Sequence, residues 1–233
     1  MIGGSRMKNI FIPSSSPDDW QKLLADPCKQ WRKGYSARTL AYCWQEANGF
    51  PTSIIKALTN SGIELFNDVK FLFAFPEWKV NLPGGKRASQ NDIYVIAKCK
   101  EQLMSIMVEG KVNEPFDKTI LAWDQNSSRG KRERLDFLLK LLNIDKTEVD
   151  HIRYQLLHRA ASAVIEATKI TARNAMILVH SFSEQYEWFD DFKDFVDLFG
   201  LTAIKDSIVG PTKIGETDLY FGWVKGEKKY LYK

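Results

Sequence analysis

Asp92 and, seventeen residues further on, the run Glu109-Gly110-Lys111 are the residues of this chain whose types and spacing could do chemistry. The run sits inside Leu103 to Val112, an otherwise apolar stretch that reads as a buried strand, where a carboxylate and an ammonium are costly. Alternate side chains of a strand share a face, so Ile106, Val108 and Val112 fall on one side with Gly110, and Ser105, Met107, Glu109 and Lys111 on the other. An acid and an amine therefore project side by side from a rigid element, with a glycine between them that leaves its own carbonyl unshielded. If the strand opened by Asp92 pairs with the next as a hairpin, its start lies near the end of its neighbour, beside Glu109. Two carboxylates and a carbonyl then converge on one point. That oxygen set suits Mg²⁺, with Mn²⁺ as a substitute, because the ion takes one or two carboxylates and keeps waters for substrate contact. Lys111 beside the ion could orient or deprotonate an attacking water, or balance charge on a phosphate as it becomes five-coordinate. Hydrolysis of a phosphodiester fits these parts.

The elements that must hold those residues can be read in order. Residues 1–6, Met-Ile-Gly-Gly-Ser-Arg, look like a vector remnant ahead of a native start at Met7. Residues 17–75 read as helical: a short helix from Pro17 with aspartates in its first turn, a stronger one capped by Ser36 and stopped at Asn48-Gly49, a third over Ser53 to Asn60, and a fourth over Leu65 to Phe75 closed by Pro76. After Pro76 the pattern changes. Trp78 to Leu82 alternates, Pro83-Gly84-Gly85 is turn chemistry, and Asp92 to Lys98 is β-branched and aromatic, so with Leu103 to Val112 three strands form an antiparallel meander. A long polar loop over Asn113 to Gly130, with a turn of helix near Trp123, leads to an amphipathic helix over Lys131 to Leu142 and a longer one over Ile152 to Lys169. Ala175 to Val179 reads as a strand buried on both faces. The tail, 183–233, carries an aromatic helix from Trp188 to Phe199 and two strands, Leu219 to Lys225 and Lys228 to Tyr232, around a turn at Gly226.

With Asp92, the hairpin and Glu109-Gly110-Lys111 in place, the stretch from Glu77 to Phe182 resembles the PD-(D/E)XK, or restriction-endonuclease-like, nuclease superfamily. The resemblance implies an α/β fold with a mixed sheet and an αβββαβ core over 76–182, preceded by the helical N-terminal part, all within one domain. It implies a Mg²⁺-dependent endonuclease acting on DNA, with Asp92, Glu109 and the Gly110 carbonyl as metal ligands, Lys111 as the catalytic lysine, and Glu77 placed like the extra acid of some members. Asn91 stands where the name-giving motif has proline, and the connection after Lys111 is longer than the motif needs. On the second core helix, His151, Gln155, His158 and Ser162 fall at spacings that share one face, bordered by Arg159. Gln155 is the helper residue, touching a substrate phosphate or a bound water. The alternative is a non-catalytic module of the same fold that binds nucleic acid or a protein; a third is an enzyme acting on RNA or a smaller phosphoester. A homodimer would let one site per chain cut both strands. Over its whole length the chain also resembles uncharacterised bacterial proteins.

Plainer readings stand beside these. An E-x-K run can be a solvated sheet face, and Glu77 a surface acid at a strand start. His151 and His158 read as residues of an exposed helix face, and His180 as either a satisfied core histidine or a site group. Lys86-Arg87 and Arg129, Lys131, Arg132 and Arg134 could grip a phosphate backbone, or simply be solvated beside Glu133. Glu109 and Lys111 are read as groups that cost stability, so that trimming either to alanine leaves the fold nearly intact. A hydrophobic content of 44% and no apolar run long enough to span a bilayer indicate a globular, cytoplasmic protein with no membrane partner. Three scattered cysteines, Cys28, Cys43 and Cys99, exclude a disulfide framework and a cysteine zinc site. A net charge of +4 permits a polyanionic partner without requiring one.

Overall fold

The computed structural model describes Ser14 and residues 16–233, so the expected remnant at 1–6 and the start at Met7 lie outside the described residues. The helices are α1 (Pro27–Gln30), α2 (Ser36–Ala47), α3 (Thr52–Asn60), α4 (Ile120–Asp124), α5 (Arg129–Leu142), α6 (Tyr154–Lys169) and α7 (Phe189–Asp197). The strands are β1 (Val69–Val80), β2 (Ser89–Cys99), β3 (Gln102–Lys111), β4 (Asn174–Ser181), β5 (Ser207–Ile214) and β6 (Thr217–Lys225). They form one mixed sheet in the order β1-β2-β3-β4-β6-β5. The first three make the expected antiparallel meander, β4 joins parallel to β3 and to β6, and β5 closes the far edge antiparallel to β6. A parallel neighbour needs a crossover, which α4, α5 and α6 supply between β3 and β4.

Helices cover both faces. Leu156, Ala160, Ala163 and Val164 of α6 pack with the leucines of α5 and the phenylalanines of α7 on the face that carries Met107, Ile177 and Phe221. Leu40 and Trp44 of α2 and Ile54 of α3 pack on the other, against Ile106, Val108, Met176 and Leu178. The two faces of β3 are thus divided as the alternation predicts. All eight residues of β4 are buried, the pattern of a central parallel strand.

Three sequence expectations are corrected. Leu65 to Phe75 is no helix: a 3-10 turn at Glu64–Asn67 is followed by β1, which runs on through Pro76. β1 is an edge strand, where a missing amide donor is tolerated, and so Pro76 does not end it. In the tail, Lys228–Tyr232 is a 3-10 turn, and the partner of β6 is β5, joined to it through Gly215 at φ +57°. β5, which the sequence reading lacks, contains Gly210-Pro211 and also lies at an edge, where a missing amide donor is tolerated. Third, Ser36 is the first residue of α2 rather than its cap. Glu114, from the loop after β3, accepts from the Ser36 amide at 2.8 Å and from the Val112 amide at 3.0 Å. A carboxylate brought in from a distant loop thereby serves an orphan amide and opposes the helix dipole.

Candidate functional site

The β2–β3 ladder ends at the pair Ile93 and Val108. One residue beyond, the Asp92 side chain supplies the next acceptor: its Oδ2 takes a hydrogen bond from the Gly110 amide at 2.7 Å. Amide and carbonyl of a strand residue point to the same side, so the Gly110 carbonyl is turned toward Asp92 as well. Glycine eases this approach. A Cβ at position 110 would stand 3.1 Å from Leu40 Cδ2 and 3.3 Å from Asp92 Oδ2, so both side chains would have to give by a few tenths of an ångström.

Glu109 lies on the opposite face, under α6. Its Oε1 accepts from Lys111 Nζ at 2.9 Å and from Gln155 Nε2 at 2.7 Å, while Oε2 accepts from Arg159 Nε at 2.5 Å. Gln155 Oε1 in turn accepts from Lys111 Nζ at 3.2 Å. The Arg159 guanidinium also reaches Asp92 Oδ1 at 3.7 Å. One turn of α6 separates Gln155 from Arg159, which is why a single helix face can hold both carboxylate and lysine. Side-chain exposures of 3% for Glu109 and 6% for Lys111 and Arg159 make this a buried ion cluster. The expectation that Glu109 or Lys111 could be cut back to alanine at little cost does not suit this burial, because Glu109→Ala leaves two buried cations without their shared carboxylate and Lys111→Ala takes one of two cations from Glu109.

Glu77 completes the group from β1. It occupies a left-handed backbone position, φ +53°, and its Oε2 accepts from Gln90 Nε2 at 2.7 Å. The charges are not balanced evenly. Burial pushes Asp92 up to about 7, with Glu109 adding to the effect and Arg159, Lys111 and the Gly110 amide opposing it. Burial and then Asp92 push Glu77 up to about 8, against the Gln90 hydrogen bond and Arg159. Burial also acts on Glu109, but Arg159 and Lys111 more than offset it and hold its carboxyl below the ordinary range. Two cations serve three acids, and Glu109 receives most of their charge.

Glu77, Asp92, Glu109, Lys111 and Gln155 all line one open cleft of about 480 Å³. Sequence reasoning placed Arg159 only at its border, although it forms the central ion pairs, and missed Gln90, Glu114 and Asp117, which share the wall. The spacing of Gln155 and Arg159 was the available signal. The histidines are dispersed. His151 precedes α6 and is exposed, so it shares no helix face with Gln155. His158 is not on an exposed face: its Nδ1 is hydrogen-bonded to Ser89 Oγ at 2.8 Å, and burial, then Arg159, Arg134 and Lys111, lower its pKa well below the usual value. His180 is the satisfied core histidine.

A hard divalent cation fits the donor chemistry here, since Asp92 and Glu77 are carboxylates short of positive charge and the Gly110 carbonyl faces the first of them. Among the described residues, no three His, Cys, Asp or Glu groups surround a common point closely enough to hold an ion by themselves. Arg159 stands between Asp92 and Glu109, and an ion would have to share their oxygens with it. No helix among the described residues is long and apolar enough to cross a membrane. No curated protein and no solved structure matches the chain at a significant level. Residues 13–228, nearly its whole length, match one family profile, and the chain belongs to that family, the domain of unknown function DUF6946.

Proposed function

We propose that the chain is a metal-dependent nuclease that hydrolyses phosphodiester bonds in DNA, with Asp92, Glu77 and the Gly110 carbonyl as the principal ion ligands and Glu109 as a ligand shared with Arg159. The observation that carries this reading is the meeting of Asp92, Glu109 and Lys111 in one solvent-accessible cleft. The order α3, three antiparallel strands, α6, then β4 parallel to β3 supports a restriction-endonuclease-like core, because the resemblance drawn from the motif implies that same succession.

Bound there, Mg²⁺ would polarise the scissile phosphoryl group and lower the pKa of a water. The remaining work falls to this chain's own side chains. Lys111, held on two sides by Glu109 and Gln155, offers its remaining proton to the water or to a phosphate oxygen as negative charge builds up. Gln155 keeps the amine from folding onto Glu109 alone. Arg159 keeps Glu109 ionised and in place.

Asp92→Asn and Glu109→Gln keep the side-chain shapes while removing ligand charge. Each is expected to lower Mg²⁺-dependent cleavage of a labelled oligonucleotide by about 10²–10³-fold, the usual loss of one charge-stabilising group. Cleavage at the parent rate by both variants, or parent cleavage that persists in chelator, would refute the proposal. Arg159 favours a second reading, in which its guanidinium permanently takes the ion's place and the chain is a binding module. Such a module holds nucleic acid or a protein with no response to divalent ions, and a calorimetric Mn²⁺ titration of the parent separates the two.

A further inference from the structure

A second cavity of about 500 Å³ adjoins the acid cleft and shares Gln90, Asp117, Gln155 and Arg159 with it. Its charge is of opposite sign. Arg87, Lys131 and Arg134 line it together with Arg159, and Asp117 is the one acid among the described residues on its wall. The first three have no carboxylate partner among the described residues. Arg134 is fixed by backbone carbonyls, chiefly those of Pro83 at 2.9 Å and Arg87 at 2.8 Å, and Lys131 by the Trp123 carbonyl at 2.6 Å with its amine 4.9 Å from the Trp123 ring centre. Carbonyls order these cations without cancelling their charge. The loop that carries Arg87 is itself locked down, because Gly84 and Gly130 bring their backbones so close that a Cβ on either would fall 2.1 or 2.3 Å from the other's carbonyl oxygen. A locked loop and α5 thus hold an uncompensated group of cations around a hollow, an arrangement that a bound anion would complete.

We infer that this second cavity is a phosphate site, taking a phosphate group of the same nucleic-acid strand whose scissile phosphate enters the acid cleft. The inference rests on the reading of the acid cleft for the identity of the strand, but not for the binding itself. Arg87 supplies the adjustable charge and Lys131 and Arg134 the fixed ones. The shared wall lets one backbone pass from the cationic hollow into the acidic one, so the cavity sets which end of the strand lies where.

Binding of a labelled single-stranded oligonucleotide, followed by anisotropy in chelator, tests this without relying on cleavage. The Arg87→Ala/Lys131→Ala double variant is expected to bind at least about tenfold more weakly, with the slope of log K against log salt reduced by about 0.7 for each phosphate-neutralising cation removed. Lys56→Ala, an exposed cation on α3, should bind like the parent, and all three proteins should unfold at one temperature. A preference of the parent for a 5′-phosphorylated over a 5′-hydroxyl strand that vanishes in the double variant assigns a terminal phosphate. Equal binding of both strands, with both weakened in the double variant, assigns a backbone phosphodiester. Parent-like affinity and slope in the double variant, or an equal loss in Lys56→Ala, overturns the site. A parent that binds the strand in this way yet never cleaves it with Mg²⁺ removes the nuclease reading and leaves the phosphate site standing.

Discussion

The C-terminal ends of β3 and β4 lie side by side, Gly110 paired with His180 and Lys111 with Ser181, and both carry buried polar groups. They differ in what is left over. His180 accepts from Trp44 Nε1 at 3.1 Å, meets Ser53 Oγ at 3.3 Å through its other nitrogen, and is pushed by burial to about 3, so it is neutral and complete. Around β3 the groups are ionisable, line a cleft, and are unequally served: Glu109 is paired with Lys111 and Arg159 while Asp92 and Glu77 are short of positive charge and hold their protons to higher pH. Burial of a polar residue therefore does not mark a site. Unmatched charge that faces solvent does, because only such a group still has something to gain from a ligand.

The largest effect that would break this contrast is on stability. Glu109→Ala leaves Lys111 and Arg159 buried without their shared carboxylate, and should cost about 3–5 kcal/mol in urea unfolding. Adding Arg159→Met should return part of that loss, since the two changes are coupled through one ion pair. A Glu109→Ala cost below about 1 kcal/mol would mean that the cluster is not buried and paired as described. Lys111→Met comes next: a fall in kcat of about 10²-fold at saturating Mn²⁺ is expected, since the proposed site loses the amine that serves the reacting groups, and kcat at the parent value there would remove Lys111 from the chemistry.

pH separates the two strand ends by sign. Asp92 and Glu77 keep protons in the folded chain from their ordinary values of 3.8 and 4.5 up to about 7 and about 8, so they favour folding at low pH and stability drains away as pH rises through that window. A divalent ion bound at the proposed site would displace those protons. Its thermal stabilisation should be largest near pH 8, about 2.7 kcal/mol at a hundredfold excess over Kd, and should fade toward pH 5. Equal stabilisation at both pH values would detach the ion from these carboxylates. His180 works the other way: its folded value near 3 lies below the ordinary 6.5, so stability is lost as pH falls through that interval. The smallest expected change is that of His180→Gln, about 1–3 kcal/mol of stability from disrupting a buried hydrogen-bond pair, with cleavage unaffected. A drop in cleavage there at matched temperature would place His180 in the site after all.

Legibility in the sequence followed the range of the interactions. The alternation through Ile106, Met107 and Val108 told which face of β3 holds Glu109 and Lys111, and the hairpin to Asp92 followed from one short turn, since both depend on neighbours in the chain. β1 was hidden because the run from Leu65 to Phe75 has no decisive period and Pro76 looks like a stop; only its place at a sheet edge makes the proline harmless. Arg159 was visible as a neighbour of Gln155 on one helix face, but not as the partner of Glu109 and Asp92, fifty or more residues away. The exchange of Ser36 for Glu114 at the start of α2 has the same origin.

By itself, then, the sequence determined the alternating faces of β3, the meander that returns Asp92 to Gly110, and the helical wrapping of an α/β sheet, because periodicity and turn chemistry act over a few residues. Which acid keeps the cations, which remains short of charge, and how an acidic and a basic hollow come to share a wall were decided by the tertiary structure alone. Burial and charge pairing are sums over groups from β1, β2, β3, α5 and α6, and no local pattern contains those sums.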